Sequence, residues 1–131
     1  WLGCLTCFDE IVLKEWLHVL HRDAMNVIAN SSTFLFHFLP AEPWYIAWAY
    51  PPNSGIYSGD IFFNRDSGWT LTRGPTYDRY IYTVAAHEIG HSIGLSHSRD
   101  QQSIMFWYYK HVPVPVLSNS DISAVQSLYG M

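Results

Sequence analysis

The chain has 131 residues, 49% of them hydrophobic and 17% aromatic, with 14% charged and a formal net charge of -4. That length suits one domain with a core of its own, and a charged fraction well below the roughly 25% of an average soluble domain argues against disorder. No apolar run approaches the ~18 residues of a membrane-spanning helix, and two Lys with five scattered Arg make no basic stripe for nucleic acid.

Cys4 and Cys7 have no further cysteine to join, so they found no disulfide framework. His18 and His21 follow at spacings too short for a Cys2His2 finger. The quartet reads as terminal cysteines near a helix with surface histidines. The first eight residues lack the basic and apolar regions of a signal peptide. Residues 1–7 read as a truncated N-terminal segment of a single domain over residues 1–131.

Residues 8–23 predict a helix, with Ile11, Val12, Trp16, Val19 and Leu20 near one face, acids in the first turn and His21 and Arg22 in the last. Residues 33–39 (TFLFHFL), 44–50 (WYIAWAY) and 56–64 (IYSGDIFFN) predict three strands. Pro40 and Pro43 end the first, and Pro51-Pro52-Asn53-Ser54-Gly55 closes the second. A helix is predicted from Tyr80 to Ile93. Pro113 and Pro115 then force residues 110–117 to be irregular. A last helix is predicted over residues 119–129, with Ser118 and Asp121 as its capping box. This order of helix, strands, helix, loop and helix is that of an α+β domain.

Residues 87–97 read HEIGHSIGLSH. His87 and His91 lie four apart on a predicted helix, so their imidazoles share one face and reach one zinc ion. Glu88 is poorly placed to ligate the same ion and well placed to act as general base toward a zinc-bound water. Gly94 permits positive φ and a sharp exit from the helix, which lets His97 return as a third ligand. Three protein ligands leave a fourth position for water, the arrangement of catalytic zinc. Chance occurrence of HExxHxxGxxH in a chain of this composition is on the order of 10⁻⁵ to 10⁻⁴.

The stretch resembles the metzincin zinc-protease signature, and Ser103-Ile104-Met105 resembles its Met-turn, with Met105 as a hydrophobic floor under the metal. Ser98 after the third histidine is similar to the matrixin branch. So are Val84-Ala85-Ala86 before the motif, Gly59-Asp60-Ile61-Phe62-Phe63-Asn64 with Trp69-Thr70, and Asp121-Ile122 with Gln126-Ser127-Leu128-Tyr129-Gly130. The resemblance is to a matrix metalloproteinase catalytic domain and covers residues 44–130 well. It implies a twisted, mainly parallel sheet with an antiparallel edge strand and three helices. It also implies secretion, hydrolysis of peptide bonds in extended protein substrates such as matrix proteins, and protein inhibitors as further partners.

Within that resemblance the chain departs at its structural ions. Trp48 and Phe62 stand where two structural-zinc histidines belong, and the loop that would supply the remaining ligands is missing between Leu39 and Trp44, so that zinc is expected to be absent. His37 is read as a satisfied core residue. Asn64 and Ser67 stand where calcium-binding acids belong. Asp60 alone keeps its type, so any calcium binding is expected to be weak. Residues 46–50 resemble the edge strand along which matrixins align substrate, and Ile46 and Ala47 are taken as substrate-binding. Trp48 is taken as packing. Thr83 matches the floor and Tyr109 the wall of the pocket beside the zinc, with Trp107 in place of a proline. An open pocket for a large apolar side chain is expected. The alternative is a catalytically weak or inactive domain of the same fold that binds peptides or inhibitors.

Overall fold

The computed structural model describes residues 35–71, 80–108 and 116–130. The helix expected over residues 8–23, with Cys4, Cys7, His18 and His21, lies outside the described residues, as does Tyr109.

Three short strands form one mixed sheet: β1 (Phe36–Leu39), β2 (Ala47–Ala49) and β3 (Ile61–Asn64), in the order β1-β3-β2. β1 runs parallel to β3, and β2 runs antiparallel to it along the edge. The residues of β3 alternate between the two faces of the sheet. Ile61 and Phe63, both 0% exposed, enter the main core, where Phe63 meets Phe36, Phe38 and Trp69. Phe62 belongs to the opposite face, where its cross-strand partners are His37 and Trp48. Those three rings stack, with centroids 4.3 Å apart for His37–Phe62 and 5.2 Å for Trp48–Phe62.

β2 and β3 are shorter than the sequence predicts. Residues 56–60 do not join β3: Gly55–Tyr57 is a 3-10 turn, and Gly55 and Gly59 take φ of 68° and 86°. Both values are open to glycine and foreign to a strand. The turn lets Gly59 donate to the Tyr50 carbonyl and Tyr50 donate to that of Asp60, so β2 and β3 close as a pair.

α1 (Ile81–Ser92) packs against β2 and β3. Apolar and small residues around its circumference suit a helix buried on most sides. Tyr82, His87 and His91 are its only partly open positions. α2 (Asn119–Tyr129) matches its expected bounds and carries the capping box: Ser118 Oγ accepts from the Asp121 N–H, and the Asp121 side chain accepts from the Ser118 N–H. Gly130 ends it at φ 73°, and the Tyr129 hydroxyl donates to the Ile93 carbonyl at 2.7 Å, pinning the end of α1. The core joins Ile61 and Phe63 to Val84, Ala85, Ile89, Ile93, Leu95, Met105 and Val125. The fold is thus α+β, a small mixed sheet with two helices among the described residues. None of these helices is long and apolar enough to cross a membrane.

Candidate active site

The helical turn from His87 to His91 sets two imidazoles on one face of α1. The helix ends at Ile93, and Gly94 follows at φ 97°, a value that strains any residue with a Cβ. The Gly94 N–H donates to the His91 carbonyl and the Leu95 N–H to that of Gly90. The chain then turns back and brings His97 to the pair.

The three Nε2 atoms lie 3.1 Å (His87–His91), 3.2 Å (His91–His97) and 3.3 Å (His87–His97) apart. Their tautomers follow from the other ring nitrogens. His87 Nδ1 donates to the Ile104 carbonyl at 2.7 Å and His91 Nδ1 to the Leu95 carbonyl at 2.8 Å. In neutral rings this leaves lone pairs on both Nε2 atoms, facing each other. Lone pairs at this distance repel, and a shared cation removes the conflict. Tetrahedral nitrogen ligands at ~2.0–2.1 Å from zinc lie about 3.3 Å apart, so the donor set fits one zinc ion. Among the described residues these three form the only cluster of three or more potential ligands close enough to share an ion.

Burial favours the neutral form of two of these rings. Burial is the main cause that pulls His87 down to about 4, opposed by its bond to the Ile104 carbonyl and aided by His91 and His97. His91 shifts downward for the same first reason. Glu88 is 7% exposed, and burial pushes its carboxyl up to about 8.

Two cavities meet at these side chains. One, of about 390 Å³, runs from Ile46 and Ala47 past Thr83, Val84, His87 and Glu88 to Ile104, Phe106 and Trp107, with Val116 and Leu117 closing it. The other, of about 520 Å³ and more open, is lined by Ala47, Trp48, His87, Glu88, His91 and His97. Ile46, Ala47 and Thr83, which the sequence reading takes as substrate-binding, line the first cavity. Trp48 has two roles where one was expected, since it stacks on Phe62 and also borders the open cleft.

Met105 is 2% exposed within the core, and its carbonyl accepts from the Ser98 N–H at 2.7 Å, tying the segment after His97 to the Met-turn-like segment. The Asp60 carboxylate meets His37 Nε2 at 3.0 Å and is nearly buried. His37 remains about one-third exposed, less enclosed than the core residue expected. Sequence reasoning missed the supporting groups. Asp121, 2% exposed, accepts from the Ile104 N–H at 3.0 Å and from Ser103 Oγ, so α2 holds the peptide next to the one whose carbonyl orients His87. Eighteen residues separate Ser103 from Asp121, and no local pattern announces such a contact.

A sequence profile of the matrixin family matches residues 35–130. Stromelysin-2 of Rattus norvegicus is 44% identical over 92% of this chain and 27% of its own length. Matrix metalloproteinase-16 of Homo sapiens is 39% identical over 94% of the chain and 21% of its own length. Interstitial collagenase of Sus scrofa is 42% identical over 65% of the chain and 17% of its own length. The chain therefore spans about a quarter of the length of the curated relatives it matches. With the family profile covering most of its residues and the three histidines converging beside Glu88, the chain belongs to the matrixins, a family of zinc metalloendopeptidases.

Proposed function

We propose that this chain is a zinc-dependent endopeptidase domain that cleaves peptide bonds in extended protein substrates, matrix proteins among them, in an extracellular setting. The observation that carries the reading is the convergence of three Nε2 atoms within 3.1–3.3 Å beside a buried glutamate at the junction of two cavities. His87, His91 and His97 would hold one zinc ion. When bound, zinc supplies Lewis-acid chemistry, polarising a carbonyl oxygen and easing deprotonation of a water.

The chain's own residues do the rest. Glu88 takes the proton of the attacking water and passes it to the leaving amine. Its burial suits that exchange, because a carboxyl pushed toward neutral pH holds a proton readily, and a cation among the imidazoles opposes the upward shift. The Ile104 and Leu95 carbonyls fix the ring orientations of His87 and His91. β2 pairs with β3 on one side, and Ala47 and Trp48 border the cleft, so an extended peptide can add along that edge through main-chain hydrogen bonds. The 390 Å³ cavity, with small Thr83 in its wall, suits a large apolar side chain following the scissile bond. In the same reading one domain spans residues 1–131, residues 8–23 supply a third helix, Tyr109 adds to the pocket wall, and metalloprotease inhibitors are partners.

The test pairs metal analysis with cleavage of quenched fluorescent peptides. One zinc per chain, cleavage of wild type, and a loss of at least about 10³-fold in Glu88→Ala with zinc retained are expected. Peptides with a large apolar residue after the scissile bond should be cleaved fastest. One bound zinc with no Glu88-dependent cleavage would instead assign the chain to peptide or inhibitor binding.

A further inference from the structure

The connection from β1 to β2 has no element of its own, yet it sets the start of the edge strand. Its backbone is organised from outside, by one side chain of β3. Asn64 is 2% exposed, and its Nδ2 lies 3.2 Å from the Ala41 carbonyl, 3.3 Å from that of Glu42 and 2.9 Å from that of Tyr45. Its Oδ1 accepts from the Ala41 N–H at 3.3 Å and the Asp66 N–H at 3.0 Å. Three acceptors around one atom and two donors around the other leave no doubt which is nitrogen. The Asn64 backbone N–H donates to the Ile46 carbonyl at 2.9 Å, so the same residue also fixes the first cleft-lining position.

Three carbonyl oxygens pointing at one buried spot repel one another unless something positive lies there. Hard cations bind in such carbonyl cradles. Here the two protons of an amide do the work, without an ion and without a net charge. We infer that Asn64 is a positioning residue for substrate binding, its amide standing in for a cation at the focus of the Ala41, Glu42 and Tyr45 carbonyls, so that the edge of the cleft forms without a metal of its own. This rests on the protease reading only for its kinetic consequence. The structural consequence stands alone. An aspartate at this position has the same shape but sets a carboxylate oxygen against three carbonyls, an arrangement that needs a cation.

The experiment compares the zinc-loaded full chain with its Asn64→Asp and Asn64→Ser variants, in calcium-free buffer and with 10 mM calcium chloride. Wild type should show the same melting temperature and KM in both buffers. Asn64→Asp should melt about 5–10 °C lower without calcium and recover at least half of that loss with it. Its KM should rise at least about threefold without calcium, with kcat within about twofold, and fall back with calcium. Asn64→Ser, which removes the amide and adds no charge, should show the raised KM and no calcium response. A wild type that needs calcium overturns the inference, as does an Asn64→Asp protein that matches wild type without calcium or is not recovered by it. If wild type cleaves no peptide, the protease reading fails, and the calcium response of the melting temperatures still decides the role of Asn64.

Discussion

His87 shows how burial suits a residue to the zinc-binding role proposed for it. Desolvation, the largest cause, lowers its pKa to about 4, and His91 moves the same way. His87 therefore stays neutral, with a lone pair free, well below neutral pH, and burial biases His91 in the same direction. The shift has a consequence for the metal-free protein. The unfolded chain takes up this proton near 6.5, whereas the folded chain resists it until about 4. Within that window the unfolded state holds more protons at this position, so the contribution of His87 to stability falls as pH falls, by roughly 3 kcal/mol once the window is crossed. Glu88, pushed up to about 8 by burial, contributes in the opposite sense over the same range, so the His87 contribution is read as a difference. Relative to wild type, the urea midpoint of metal-free His87→Asn, which takes up no proton at that position, should rise as pH falls from 7 to 4.5. Equal slopes for both proteins would show that His87 is not the group responsible.

At the scale of elements, α2 supports a site it does not touch. Its Asp121 carboxylate accepts from the backbone N–H groups of Ser118 and Ile104, and the Ile104 carbonyl in turn takes the Nδ1 proton of His87. Asp121→Asn removes acceptor capacity from a buried network and should cost about 2–3 kcal/mol, whereas Ser118→Ala, which removes the cap hydroxyl, should cost about 1 kcal/mol. Chelator competition separates the two beyond stability. Asp121→Asn should give up zinc more readily because the Ile104 peptide loosens, and Ser118→Ala should hold it as wild type does. Equal zinc retention in both would reduce Asp121 to a stability role. The same elements show what was legible in the sequence. His87, Glu88 and His91 follow from one helical turn, and Ser118 with Asp121 from a three-residue spacing, so local periodicity reveals them. The reach of Asp121 to Ser103, and of Asn64 to Ala41, links residues 18 and 23 apart in sequence, where no period exists to read. The third strand looked longer than β3 because Ile56 and Tyr57 have strand-like side chains, while the positive φ at Gly55 and Gly59 decides the backbone there.

Across the described molecule, apolar and aromatic packing holds both faces of the sheet. The core side of β3 carries Ile61 and Phe63, and its other side carries the His37–Phe62–Trp48 stack, with Asp60 closing on His37. Both faces are held by side-chain contacts, and the loop from β1 to β2 by an amide. The three histidines that could hold a metal ion are gathered elsewhere, on α1 and the turn after it. On the proposed protease reading, stripping the metal should then remove cleavage and leave the fold. Its stability cost is the linkage term, about 4 kcal/mol when free zinc had been at a thousand times its dissociation constant, and smaller at lower excess. The aromatic near-UV circular dichroism of chelator-treated protein should persist at 25 °C, with cooperative melting at a lower temperature. Phe62→Ala supplies the contrast. It opens the stack and should cost about 3–5 kcal/mol with zinc still bound, because a buried ring and its partners lose their packing together. If chelation erased the near-UV signal while Phe62→Ala left stability unchanged, the sheet would depend on metal rather than on its aromatic face.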